Sequence, residues 1–96
     1  MSRAETLTLL RQHKAAWQRR FGATHLALFG SRAREQVRGD SDADFLVAFD
    51  GSANSAPYFG LRFYLEDLLG CPVDLVTDKA LLPELRPSVE RDAIHV

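Results

Sequence analysis

Three short apolar segments limit what this chain can fold into. Thr24 to Phe29 lies between Gly22 and Gly30, Ala43 to Phe49 runs into Asp50-Gly51, and Pro72 to Thr77 follows Gly70. Runs this short, closed by turn-forming residues, predict buried strands rather than helices. The intervening stretches have helical spacing. Leu7, Leu10, Trp17 and Phe21, with Ala16 between, suit one face of a single helix that stops at Gly22, and Trp17 is its core anchor. Pro57 fits the first turn of a second helix carrying Phe59, Phe63, Leu65, Leu68 and Leu69 and ending at Gly70. From Asp78 to Asp92 the pattern is helical but interrupted by Pro83 and Pro87, each read as a helix start, and Ile94-His95-Val96 reads as a short final strand. The expected fold is α/β or α+β: one small mixed sheet of three to four strands flanked by helices.

At 96 residues this is one domain, 1–96, with a modest core. A hydrophobic fraction of 46% and a charged fraction of 26% exclude disordered and collagen-like classes. A net charge of −1 argues against general nucleic-acid binding, which needs a basic surplus. Positive charge is local: Arg32, Arg34 and Arg38 sit close together. The lone Cys71 has no metal-ligand companions and reads as a small hydrophobe beside Pro72. No apolar run is long enough to span a bilayer and no signal-peptide core opens the chain, so the expected compartment is the cytoplasm. His13, His25 and His95 do not cluster in sequence and read as surface or structural residues. Tyr58, Phe59, Phe63 and Tyr64 exceed what one narrow helix face can bury; core packing is the first account of them and a partner surface the second.

The informative stretch runs from Phe29 to Val47. Asp42 and Asp44, two apart at a strand entrance, point to one face of the strand. Paired carboxylates repel unless a cation sits between them, and such oxygen ligands suit Mg²⁺. Alone, Asp-x-Asp also fits an exposed turn in which Asp40 and Ser41 make local hydrogen bonds. Gly30-Ser31 narrows the choice. A glycine between strand and helical turn lets backbone approach a ligand, opening N–H groups favour phosphate, Ser31 adds a hydroxyl, and Arg32, Arg34 and Arg38 add charge. Together these residues describe phosphate held on one side and metal on the other.

The run Gly30-Ser31, ten residues, then Asp42-Ala43-Asp44 and an apolar strand resembles the nucleotidyltransferase signature of the DNA polymerase β superfamily. Within it the chain is most similar to the minimal nucleotidyltransferases, antitoxin-type proteins found beside HEPN-domain toxins in prokaryotes. The likeness extends over Leu65 to Gly70 and Val73 to Val76. It implies that Asp42 and Asp44 bind two catalytic Mg²⁺ ions with a third acid from a later strand. Asp74 is the best candidate, because a lone carboxylate buried in an apolar strand would be costly; a structural salt bridge is the alternative. Gly30 and Ser31 map onto the triphosphate-contacting turn, with Arg32 and Arg34 beside it. The implied activity is transfer of a nucleoside monophosphate, AMP from ATP, to a hydroxyl; the short chain leaves the acceptor to a partner protein, which the resemblance implies is a HEPN-type toxin modified on a tyrosine.

Two residues depart from the family pattern. Glu35 stands where glycine is usual, which keeps open a second reading, an antitoxin that neutralises its partner by contact alone. Ala43 replaces a larger aliphatic without touching a ligand position. A third reading, modification of a small molecule, would need a homo-oligomer to supply the missing substrate wall.

Overall fold

The computed structural model describes residues 3–30, 43–50 and 55–96. Its elements are α1 (Arg3–Gln12), α2 (Lys14–Phe21), β1 (Ala23–Phe29), β2 (Ala43–Phe49), α3 (Ser55–Leu69), β3 (Val73–Thr77), a 3-10 turn (Asp78–Ala80), α4 (Arg86–Asp92) and β4 (Ile94–His95). The sheet order is β3-β2-β1-β4. β1 runs antiparallel to β2 and to β4, while β2 and β3 are parallel, so the sheet is mixed as expected.

Alternation along the strands decides the layering. Ala43, Phe45 and Val47 are fully buried, as are Leu26 and Leu28 on β1 and Val73 and Leu75 on β3. Against this face pack Leu7 and Leu10 of α1, Trp17 of α2, and Leu61, Leu65 and Leu69 of α3, the last three spaced by four on one helix stripe. The intervening strand residues, including Asp44, Leu46, Ala48 and Asp74, face the other way and are only partly covered. Helices α1–α3 therefore close one side of the sheet, and the opposite side is open toward the acids.

The single N-terminal helix expected from spacing is broken at His13, where φ is −103° and ψ 10°. The local hydrogen bonds explain the break. Leu10 C=O accepts from the His13 N–H at 3.2 Å and from the Trp17 indole Nε1–H at 3.1 Å. His13 Nδ1, carrying the proton, sits 2.9 Å from Leu9 C=O. A carbonyl engaged at three residues' distance and by a side chain leaves the regular ladder, which bends the helix. The bend lets Trp17 reach complete burial, so its role as core anchor stands. Gly22 then ends α2 at φ +68°, with its N–H on Gln18 C=O at 3.0 Å.

Pro57 lies in the first turn of α3, which begins two residues earlier than expected. Pro83 opens only a turn, whereas Pro87 lies in the first turn of α4, which starts at Arg86. The aromatic quartet on α3 divides. Tyr58 and Tyr64 pack on the core, Tyr64 with Phe21 at 5.6 Å between ring centroids, while Phe59 and Phe63 remain exposed at 47% and 64%. Edge strand β3 is sealed from the helix side: Tyr58 O–H donates to Leu75 C=O, and Val73 N–H donates to the Glu66 carboxylate at 3.1 Å.

Candidate functional site

Three strand ends meet at one corner of the open face. β1 finishes at Phe29 and turns at Gly30, and Phe29 is the cross-strand partner of Asp44 near the start of β2. Asp44 is in turn the register partner of Asp74 near the start of β3. Neighbouring strands lie about 4.8 Å apart, so the two acids stand side by side. Their common orientation follows from their flanks: Ala43 and Phe45 are buried, as are Val73 and Leu75, which sends Asp44 and Asp74 both to the open face.

Gly30 adjoins this pair. Its φ of +75° lies in the left-handed region, which side chains disfavour. A Cβ placed there would collide with a carboxylate oxygen of Asp44 and lie 3.3 Å from its Cγ. The turn and the acid are thus in direct apposition, and glycine is required for shape as well as for dihedral angle.

Asp74 differs from expectation in its surroundings. It is exposed, not buried in its apolar strand, because β3 is an edge strand whose alternate residues face the open side. It makes no ion pair among the described residues, so the salt-bridge alternative finds no partner there. Asp42, Ser31, Arg32 and Arg34, with Glu35, Arg38 and Gly39, lie outside the described residues. Among the described residues no three acidic, histidine or cysteine side chains gather to hold a metal. The acid pair itself suits a hard divalent cation: two oxygen donors on one face, open to solvent, with a turn backbone that can approach closely.

A second feature of the same face was not legible in the sequence. A groove of about 400 Å³ lies further along it, lined by His25, Ala27, Leu46, Ala48, Asp78 and Glu90, with His95 at its β4 edge. β4 brings His95 opposite Ala27, which places two of the scattered histidines on one rim. Arg86 braces the far wall, donating to Asp78 Oδ1 at 2.8 Å and to Glu90 Oε1 at 3.4 Å. Hydrogen bonding and charge from Asp78, then from Glu90, hold the guanidinium above its ordinary pKa.

The nucleotidyltransferase domain family matches residues 10–96. A Methanocaldococcus jannaschii relative assigned as a protein adenylyltransferase is 38% identical over 94 residues, covering 97% of this chain and 96% of its own length. Protein adenylyltransferase MntA of Thermococcus cleftensis is 36% identical over 92 residues, covering 96% of this chain and 93% of its own. A solved structure assigned as a minimal nucleotidyltransferase superposes with a TM-score of 0.83 at 41% identity, covering 98% of this chain and 95% of that one. More distant likenesses, of fold alone, include a toxin–antitoxin with AMP-PNP (TM-score 0.69, 21% identity, 99% of this chain and 72% of that one). Another is a tri-AMPylated Shewanella oneidensis HEPN toxin in complex with an MNT antitoxin (TM-score 0.59, 20% identity, 97% of this chain and 66% of that one). The chain belongs to the nucleotidyltransferase domain family, among its minimal nucleotidyltransferases.

Among the described residues no helix is long and apolar enough to cross a membrane.

Proposed function

We propose that this chain transfers AMP from ATP to a hydroxyl of a partner protein, a tyrosine of a HEPN-type toxin, and so acts as an antitoxin. The observation that carries this reading is the in-register pair Asp44 and Asp74 on the open face, with Gly30 against the Asp44 carboxylate. The names of the relatives and the near-complete coverage of their lengths support it, as does the toxin–antitoxin fold likeness.

Asp42, Asp44 and Asp74 would hold two Mg²⁺ ions, which when bound neutralise the charge developing on the transferring phosphoryl group and acidify the acceptor hydroxyl. Asp44 and Asp74 fix the reaction centre between β2 and β3. Gly30, Ser31 and the arginines Arg32 and Arg34 orient the triphosphate beside it. The acceptor oxygen bonds to the α-phosphorus as the bond to the bridging oxygen of the β-phosphate breaks. Pyrophosphate leaves, and Asp74 takes the hydroxyl proton.

Incubating the chain with labelled ATP, Mg²⁺ and a HEPN partner encoded beside it tests the reading. Label should reach the partner with wild type and not with Asp44→Ala; equal labelling by both, or none by either, would count against transfer. Exposed Phe59 and Phe63 on α3 favour a second reading, neutralisation by contact. Neutralisation that survives combined Asp42→Ala and Asp44→Ala substitution would support contact over chemistry.

A further inference from the structure

Helix α3 carries two exposed aromatic rings that neither the core nor the acid site uses. We propose that they join two copies of this chain, α3 against α3, in an antiparallel two-fold dimer.

The helical period sets the face. Leu61, Leu65 and Leu69 point into the core. At about 100° per residue, Phe59 and Phe63 stand roughly 160° and 200° round the helix from Leu61, on the side away from the sheet. One turn apart, they form a continuous apolar ridge. Aromatic rings of this kind are enriched where proteins meet.

A surface that receives its own copy must complement itself, so its charged rim must carry both signs. Arg62 flanks the ridge on the β3 side. Its Nε is buried with no hydrogen-bond partner, and it makes no ion pair among the described residues. Glu66, one turn on along the same flank, gives one carboxylate oxygen to the Val73 N–H and keeps the other. Antiparallel seating about a two-fold axis brings like flanks together. Each Arg62 then meets the partner subunit's Glu66, and each Phe59 lies beside the partner subunit's Phe63. Asp67, exposed on the opposite flank, comes toward the N-terminus of the facing helix, where a negative charge is favoured.

Other routes to self-association are obstructed. Strand addition at β3 meets the hydrogen bonds from Tyr58 and Glu66. At β4, the carbonyls of His95 and Val96 accept from Arg11 at 3.4 Å and Lys14 at 3.3 Å. The 15 residues of α3 extend about 22 Å. A strip of that length and one helix wide lies at the small end of specific interfaces, so the dimer dissociates on dilution. Because α3 lies across the sheet from Asp44 and Asp74, both open faces point outward and stay accessible. Such a dimer supplies no wall to either site, unlike the oligomer that small-molecule modification would need.

Sedimentation equilibrium of the full chain without nucleotide, from about 1 μM to about 1 mM, tests this. The average mass of wild type should rise from one chain toward two. Phe63→Asp should raise the dissociation constant by roughly a hundredfold or more. Arg62→Glu and Glu66→Arg should each weaken association by about tenfold or more. Mixed in equal amounts, those two variants should associate as wild type does, since every pair across the axis is again of opposite charge. Mixing does not repair a folding defect, so this arm decides the matter if circular dichroism shows Phe63→Asp unfolded. A single-chain mass for wild type throughout overturns the inference, as does a dimer that all three variants leave intact. Failure of the mixture to associate overturns the antiparallel seating. A monomer whose complex with a HEPN partner is lost on Phe63→Asp gives the ridge to that partner and overturns the dimer too. No nucleotide takes part, so each of these outcomes leaves the proposed transfer untouched.

Discussion

The two faces of β2 differ in almost everything although their residues alternate along seven positions. Ala43, Phe45 and Val47 have no solvent exposure and lie under three helices. Asp44, Leu46 and Ala48 are only partly covered, and they carry the acid and the groove. The closed face holds the fold and the open face is free to hold a substrate, because a period of two sends neighbours to opposite environments. The contrast predicts that substitutions one residue apart should separate activity from stability.

The largest effect should come from the open face. Asp44→Asn is expected to reduce transfer by roughly three to four orders of magnitude, or about 4–5.5 kcal/mol of barrier. Its melting temperature should be unchanged or higher, since a like charge beside Asp74 is removed. Steady-state labelling together with a thermal melt checks both; a variant that loses activity by unfolding would break the comparison. Phe45→Ala, one residue on, should lose about 3–4 kcal/mol of stability through a core cavity, read by urea denaturation. Gly30→Ala joins the two effects. Forcing a side chain into the left-handed region should destabilise by about 1–2 kcal/mol, and displacing the Asp44 carboxylate should reduce transfer beyond what the melt explains. The smallest effect belongs to the helix side of the sheet edge, where Tyr58→Phe should remove about 1 kcal/mol and leave catalysis intact.

How much of this could be read beforehand depended on whether the cause was local. The first three strands and α3 were legible because apolar runs end at glycine or proline signals within the same segment, as at Gly30, Pro57 and Gly70. The break at His13 was not, since side-chain hydrogen bonds to Leu9 and Leu10 create it within a continuous apolar spacing. Asp74 could be named from its strand and its likeness to the family. Its solvent exposure could not, because that depends on β3 lying at an edge of the sheet. The groove was invisible for a stronger reason: His25 and His95 lie far apart in the chain and share a rim only once β4 has paired with β1.

The side chains of α3 that seal β3 also limit how this molecule can meet others. An unsealed border strand invites a foreign strand to extend the sheet, which is a common route to misassembly. Here Leu75 C=O and Val73 N–H are already engaged by Tyr58 and Glu66. A newcomer on that flank must displace them to begin a ladder, so recognition there is steered toward side-chain surfaces instead of shared backbone.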